Sequence, residues 1–130
     1  MDRYQVYCDA ACKGNPGLSG VGIVIYKDGR EVFTCSKLLS GDKTVNEAEY
    51  LGLIYSLKCM RMLNIKEADL HMDSKLVVCQ VNGEWQVNSA SLRKYHRRAT
   101  KLLSNFTNTT LTHVRRLANE RADELSRINE

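Results

Sequence analysis

Thr44-Val45-Asn46-Glu47-Ala48-Glu49-Tyr50-Leu51-Gly52-Leu53-Ile54-Tyr55-Ser56-Leu57 is the stretch at which the chain changes period. Thr44 and Glu47 have the spacing of a capping box, and Tyr50, Leu53, Ile54 and Leu57 recur at helical intervals. What precedes it reads as extended. Tyr4 to Ala10 alternates, Gly14-Asn15-Pro16-Gly17 marks a loop, and Val21-Gly22-Ile23-Val24-Ile25-Tyr26 is a short apolar run. Lys27-Asp28-Gly29-Arg30 then supplies a hairpin turn before Glu31 to Leu39. Beyond the helix, Ala68 to Met72 reads as a strand and Ser74 to Val81 as a short helix stopped at Asn82-Gly83. Ser89 to Ser104 is a second clear helix with Leu92, Tyr95, Ala99, Leu102 and Leu103 on one face. Thr109 to Arg115 is a β-branched strand, and a terminal helix holds Asp123. The order β-β-β-α-β-α-α-β-α predicts an α/β fold with a five-stranded mixed sheet flanked by helices: an antiparallel meander, then parallel strands reached by helical crossovers.

No repeat, low-complexity tract or linker divides the 130 residues, and 43% hydrophobic content suffices for one core, so residues 1–130 read as a single domain. No apolar run approaches the roughly 20 residues that span a bilayer, and Met1-Asp2-Arg3 does not open a signal-peptide pattern. Five cysteines without a CxxC pair suggest reduced thiols and a cytoplasmic setting, Cys8 and Cys12 reading more simply as packed and turn residues than as a metal pair. The net charge of +4 is unevenly spread. Residues 85 to 119 contain no Asp or Glu but carry Arg93, Lys94, Arg97, Arg98, Lys101, Arg115 and Arg116, the footprint of a polyanion binder.

Four acids stand where an ordinary core would not place a charge. Asp9 and Asp73 each end a strand-like run, Glu49 lies within the apolar helix, and Asp123 sits inside Asn119-Glu120-Arg121-Ala122-Asp123. Any one of them alone reads as solvated or salt-bridged. Clustered, they repel, and each costs several kcal/mol to desolvate unless a cation compensates. Hard oxygen ligands favour magnesium or manganese over zinc, which points to metal-dependent chemistry on phosphate.

The local contexts are more specific than the acids themselves. Asp9-Ala10-Ala11-Cys12-Lys13-Gly14-Asn15-Pro16-Gly17, Thr44-Val45-Asn46-Glu47-Ala48-Glu49, Asp73-Ser74 and Asn119-Glu120-Arg121-Ala122-Asp123 resemble, in order, the four motifs of type 1 ribonuclease H. The resemblance covers nearly the whole chain. It implies the ribonuclease H fold and an endonuclease that hydrolyses the RNA strand of RNA–DNA hybrids, leaving 5′-phosphate and 3′-hydroxyl ends. Asp9, Glu49, Asp73 and Asp123 would be both catalytic residues and ligands of two Mg2+ ions, with Mn2+ as a substitute. In the mixed sheet Asp9 and Asp73 would leave neighbouring parallel strands at one carboxyl edge. The small Gly52 and Ser56 would let the helical face of Glu49 approach the sheet. Such a site would hold two ions about 3.5–4 Å apart, one acidifying the attacking water and the other neutralising the leaving 3′ oxygen.

Telling RNA from DNA requires a reader of the 2′-hydroxyl. The resemblance maps that task onto the loop Cys12-Lys13-Gly14-Asn15 and onto Asn46 and Ser74, with Glu49 sharing in it. Asn15 is equally a natural turn residue, and Asn46 fits a first helical turn. Lys75 stands where many members carry Gln, exchanging a base or sugar contact for a phosphate contact. The stretch between Asp73 and the basic helix is too short for the extra helix and basic protrusion of several members. Trp85 and the face of Arg93, Arg97 and Lys101 are the expected substitutes for binding the DNA strand, with Trp85 as a packing residue the plainer reading. His113 precedes Asp123 by ten residues, as the family's mobile histidine does, whereas Arg116 matches an arginine of a shorter-loop subgroup. A strand over Thr109 to Arg115 would hold His113 in the sheet, which favours Arg116.

The expected partner is an RNA–DNA hybrid, with double-stranded RNA as a further substrate, no membrane, and a monomeric protein. Two other readings stand beside it. One is a nucleic-acid-binding module of the same fold without turnover, against which the intact carboxylates argue. The other is a related nuclease acting on DNA or double-stranded RNA.

Overall fold

β1 (Arg3–Gly14) runs through Asp9 instead of ending there, because β2 (Gly17–Lys27) pairs with it antiparallel from Gln5 opposite Tyr26 to Gly14 opposite Gly17. The computed structural model describes residues 3–127. The loop expected at 14–17 is therefore reduced to the Asn15-Pro16 turn, and Cys12 and Lys13 are strand residues. The next hairpin is as expected. Lys27 faces Arg30, and Asp28 and Gly29 adopt φ of 52° and 78°, the left-handed pair that a two-residue turn requires. It leads into β3 (Arg30–Leu38), an edge of the sheet.

α1 (Val45–Met62) begins at a complete capping box. The Thr44 hydroxyl accepts from the Glu47 N–H at 3.2 Å, and the Glu47 carboxylate accepts from the Thr44 N–H at 2.9 Å. Tyr50, Leu53, Ile54, Leu57 and Met60 lie fully buried against Val6, Cys8, Val21, Ile23 and Ile25, so α1 is the central helix of the core. β4 (Glu67–Met72) runs parallel to β1, and β5 (Asn108–His113) parallel to β4, which gives the order β3-β2-β1-β4-β5. Between them lie α2 (Lys75–Val81) and α3 (Ala90–Leu103), the latter packing on α1 and burying Leu92, Tyr95 and Ala99. β5 ends at His113, short of the expected Arg115. The chain then makes a 3-10 turn (Arg116–Asn119) into α4 (Glu120–Ser126).

α4 packs on β1 and β2 from the side away from α1. In β2, Val21 and Ile23 face the α1 core, so Gly22 between them faces α4. A Cβ on Gly22 would lie 2.2 Å from the Ala122 carbonyl oxygen and 2.4 Å from the Ser126 nitrogen. Only glycine permits this approach. Gly22 is opposite Asp9 in the pairing, so the contact lays the helix of Asp123 over the strand of Asp9. No helix among the described residues is long and apolar enough to cross a membrane.

Candidate active site

The parallel register brings two of the acids together. Tyr7 faces His71, so two residues further along each segment Asp9 and Asp73 leave at the same edge, Asp73 just beyond the end of β4. Glu49 comes from α1. A Cβ on Gly52 would already touch the Asp9 carbonyl oxygen at 3.5 Å, and the buried Ser56 turns its hydroxyl onto the Gly52 carbonyl at 2.8 Å. These small groups seat the Glu49 face of α1 against β1. One carboxylate oxygen each from Asp9, Glu49 and Asp73 falls within 4.8 Å of the others.

Asp9 and Glu49 are only 4% and 8% exposed. The Asp9 Oδ1 accepts from the Ala10 N–H at 2.8 Å, while the Glu49 Oε1 is buried without a protein partner. Burial first, then the charge of Asp73, pushes Asp9 up to about 7. Burial followed by the charges of Asp9 and Asp73 pushes Glu49 well above the usual carboxylate range. Like charges held this closely, with one acceptor unused, make a donor set of hard oxygens that fits a divalent cation.

Asp123 does not join this trio. It lies in the first turn of α4, where its Oδ2 accepts from the Arg127 guanidinium at 2.8 Å, although its charge still reaches Asp9. The expected convergence of four carboxylates is thus three, with Asp123 beside them. Asn119 anchors that side: its Nδ2 donates to the Cys8 carbonyl at 2.9 Å, next to Asp9. Sequence reasoning gave Asn119 no role. Its signal was its place one turn before Asp123 in the same motif.

The other expected residues are distributed around this edge. The Asn15 Oδ1 accepts from the Val45 N–H at 3.0 Å, tying the first turn to the start of α1, where Asn46 is exposed. Cys12 accepts from the Ser19 hydroxyl at 3.0 Å, and Lys13 is exposed near the end of β1. Ser74 caps α2 through the Val77 N–H. His113 closes β5 opposite Met72, and the Val114 N–H donates to the Met72 carbonyl at 2.8 Å, which holds this segment alongside Asp73. Arg116 is exposed and shares a cleft of about 530 Å³ with Leu117, Glu120 and Asp123.

Trp85, Arg93 and Arg97 line a second groove of about 660 Å³ together with His96. The Lys75 ammonium lies 5.9 Å from the Trp85 ring centroid and extends the cationic rim. Lys101, one turn beyond Arg97, does not line the groove, because α3 carries it past the end of the 84–88 segment. Gln80 was missed. Its Oε1 accepts from the Tyr50 hydroxyl at 2.6 Å, its Nε2 donates to the Gln86 carbonyl at 3.2 Å, and its own carbonyl is 3.1 Å from the His96 Nε2. A single amide within the apolar run Val77-Val78-Cys79-Gln80-Val81 was the available sign.

The family described as reverse transcriptase-like matches residues 7–128. Ribonuclease HI of Halobacterium salinarum is 37% identical over 124 residues, which cover 95% of this chain and 62% of that protein. Three mycobacterial relatives are matched over only 34% of their length, so the chain spans less than two thirds of these curated relatives. Among solved structures, RNase H1 of the halophilic archaeon H. salinarum superposes with a TM-score of 0.92 at 39% identity, covering 95% of this chain and 94% of that one. LC11-RNase H1, solved in complex with an RNA/DNA hybrid, superposes with a TM-score of 0.87 at 32% identity, covering 95% and 93%. With a shared fold and relatedness over nearly its whole length, the chain belongs to the type 1 ribonuclease H family.

Proposed function

We propose that this chain is an endonuclease that hydrolyses the RNA strand of RNA–DNA hybrids, with Mg2+ as its metal and Mn2+ as a substitute. The observation that carries the reading is the trio Asp9, Glu49 and Asp73, whose oxygens lie within 4.8 Å while one Glu49 oxygen stays buried and unpaired. A divalent metal bound there supplies Lewis-acid activation of water and neutralises charge developing on the phosphate.

The chain's own residues do the rest. Asp9, Glu49 and Asp73 hold the metal, and Asp123 adds negative charge from the side. Arg116, in the cleft with Asp123, faces the phosphate backbone and stabilises its charge, while His113 lies at the sheet end beside it. Asn15, Asn46, Cys12, Lys13 and Ser74 border the ribose-reading edge. The groove of Trp85, Arg93 and Arg97, with Lys75 at its rim, takes the DNA strand through indole stacking and phosphate contacts. The hybrid bound by LC11-RNase H1 supports this choice of partner.

The test is incubation of purified protein with end-labelled hybrid, double-stranded RNA and duplex DNA, each with Mg2+, Mn2+ or chelator. Metal-dependent cutting of the RNA strand in the hybrid, leaving 5′-phosphates, is expected. Binding without cleavage in either metal, or preferential cutting of duplex DNA, would refute the reading. Cleavage of double-stranded RNA at a comparable rate would widen it.

A further inference from the structure

Cys35 and Cys59 are distant in sequence and adjoin in the fold. On β3, Phe33, Cys35 and Lys37 share one face, and Phe33 and Cys35 pack against the core. On α1, Tyr55 and Cys59 are one turn apart on one face. The Lys37 ammonium lies 5.1 Å from the centroid of the Tyr55 ring, which marks where strand and helix pass each other. One strand repeat back from Lys37 is Cys35, and one helical turn on from Tyr55 is Cys59. There the two thiols come together at the border of the core, close enough for Cys35 to act on Cys59. Both are free and only half-buried at the border of the core, open to a small reagent.

We propose that Cys35 and Cys59 form an oxidisable dithiol, a modification site at which a low-molecular-weight disulfide converts the pair into an intramolecular disulfide joining β3 to α1. The exchange balances in two steps. Cys35 gives its proton to solvent, and its sulfur attacks the reagent's disulfide and releases one small thiolate. Cys59 then gives its proton to solvent, and its sulfur displaces the second small thiolate from Cys35. Two protein thiols are oxidised and one small disulfide is reduced to two thiols. Burial, then the neighbouring thiol, pushes Cys59 up to about 11, so little thiolate forms there and its part is the second displacement, in which the mixed disulfide is already held beside it.

The bridge would close the segment from 35 to 59, which contains the β3–α1 connection, Asn46 and Glu49. Closing it restricts the unfolded chain and stabilises the fold. Glu49 lies ten residues before Cys59, about 15 Å along the helix, so the carboxylate trio stays where it is. The modification changes stability and leaves cleavage intact.

The experiment treats the full chain with oxidised glutathione at mildly alkaline pH without metal, then counts thiols and maps peptides under non-reducing conditions. Two of the five thiols should disappear into a Cys35–Cys59 peptide. The melting temperature should rise by about 5–15 °C, reversibly with dithiothreitol, and not in Cys35→Ser or Cys59→Ser. Five titratable thiols, a lasting mixed disulfide with glutathione, a bridge to another cysteine, or a bridged protein that melts where the reduced one does would overturn the proposal. Peptide mapping of the unmutated protein decides even if a serine variant folds poorly.

Discussion

The Tyr50 hydroxyl donates to the Gln80 Oε1 at 2.6 Å, and both side chains are buried. Tyr50 follows Glu49 on α1, and the Gln80 amide continues to the Gln86 carbonyl beside Trp85. One side chain thus joins the helix of the carboxylate trio to the wall of the basic groove. Gln80→Leu strands the buried Tyr50 hydroxyl and releases the Gln86 carbonyl, and should cost about 1–3 kcal/mol of stability. It should raise the KM for hybrid about three- to tenfold with kcat nearly unchanged. Gln80→Glu keeps the acceptor for Tyr50 but loses the donor to Gln86, so its effect should fall on KM. Steady-state kinetics with urea unfolding checks both; a loss confined to kcat would contradict the link.

Asp9→Asn, Glu49→Gln and Asp73→Asn should each abolish cleavage while hybrid binding persists, because each removes charge from the donor set within 4.8 Å. Without metal their melting temperatures should hold or rise, since like-charge repulsion is relieved. Asp123→Asn, outside the trio and paired with Arg127, should lower turnover more mildly, by about tenfold. Equal loss at all four positions would place Asp123 on the metal after all.

The pH response of the metal-free protein follows from Asp9 and from Glu49 beside it, both raised first by burial and then by the charge of neighbouring carboxylates. The folded pKa of Asp9, about 7, lies above the ordinary value near 4, so the folded state binds the extra proton between those limits. That stabilisation is complete below about pH 4 and is lost as pH rises towards 7, on the order of a few kcal/mol. Half-buried His71, whose pKa is lowered by burial, works in the opposite direction: its contribution is present above about 6.5 and falls away as pH drops. Asp69, held below the usual range chiefly by the Arg3 hydrogen bond, loses its contribution only below about pH 4. Melting curves of the wild type and Asp9→Asn at pH 4.5 to 7.5 therefore isolate the effect. The gap should widen in favour of the variant as pH rises, and saturating Mg2+ should close it. A gap that does not vary with pH would rule out the raised Asp9.

The 113–116 segment separates two roles. Arg116 shares the cleft of Asp123, whereas His113 is held in the sheet opposite Met72. Arg116→Ala should cut turnover about tenfold or more at saturating hybrid and Mg2+, while His113→Ala should cost little beyond modest stability. A turnover loss confined to His113→Ala would reverse the assignment.

Much of the fold was legible because its signals are local. The capping box of Thr44 and Glu47 needs only four consecutive residues, and the Lys27-Asp28-Gly29-Arg30 hairpin only a two-residue turn. The helical period of α1 and the alternation of β1 are likewise written in neighbouring side chains. The motif contexts of Asp9, Glu49 and Asp73 pointed to three acids that the fold brings within 4.8 Å of one another, since parallel strands with crossover helices deliver Asp9 and Asp73 to one edge.

What depended on distant partners was decided by packing. β1 outlasts Asp9 because β2 pairs with it to Gly14, and no property of residues 10–14 alone dictates that pairing. Asp123 stands beside the trio because Gly22 sets how closely α4 lies on the sheet and Arg127 claims its carboxylate. Gln80 and Asn119 carried only a faint local sign and the Cys35–Cys59 contact none, since each acquires its partner only when segments dozens of residues apart are brought together. The sequence by itself determined the elements, their order and the chemical character of the site. Registers, helix seats and the buried polar links between elements belong to the tertiary structure, because they arise from the mutual fit of surfaces that no single stretch of chain contains.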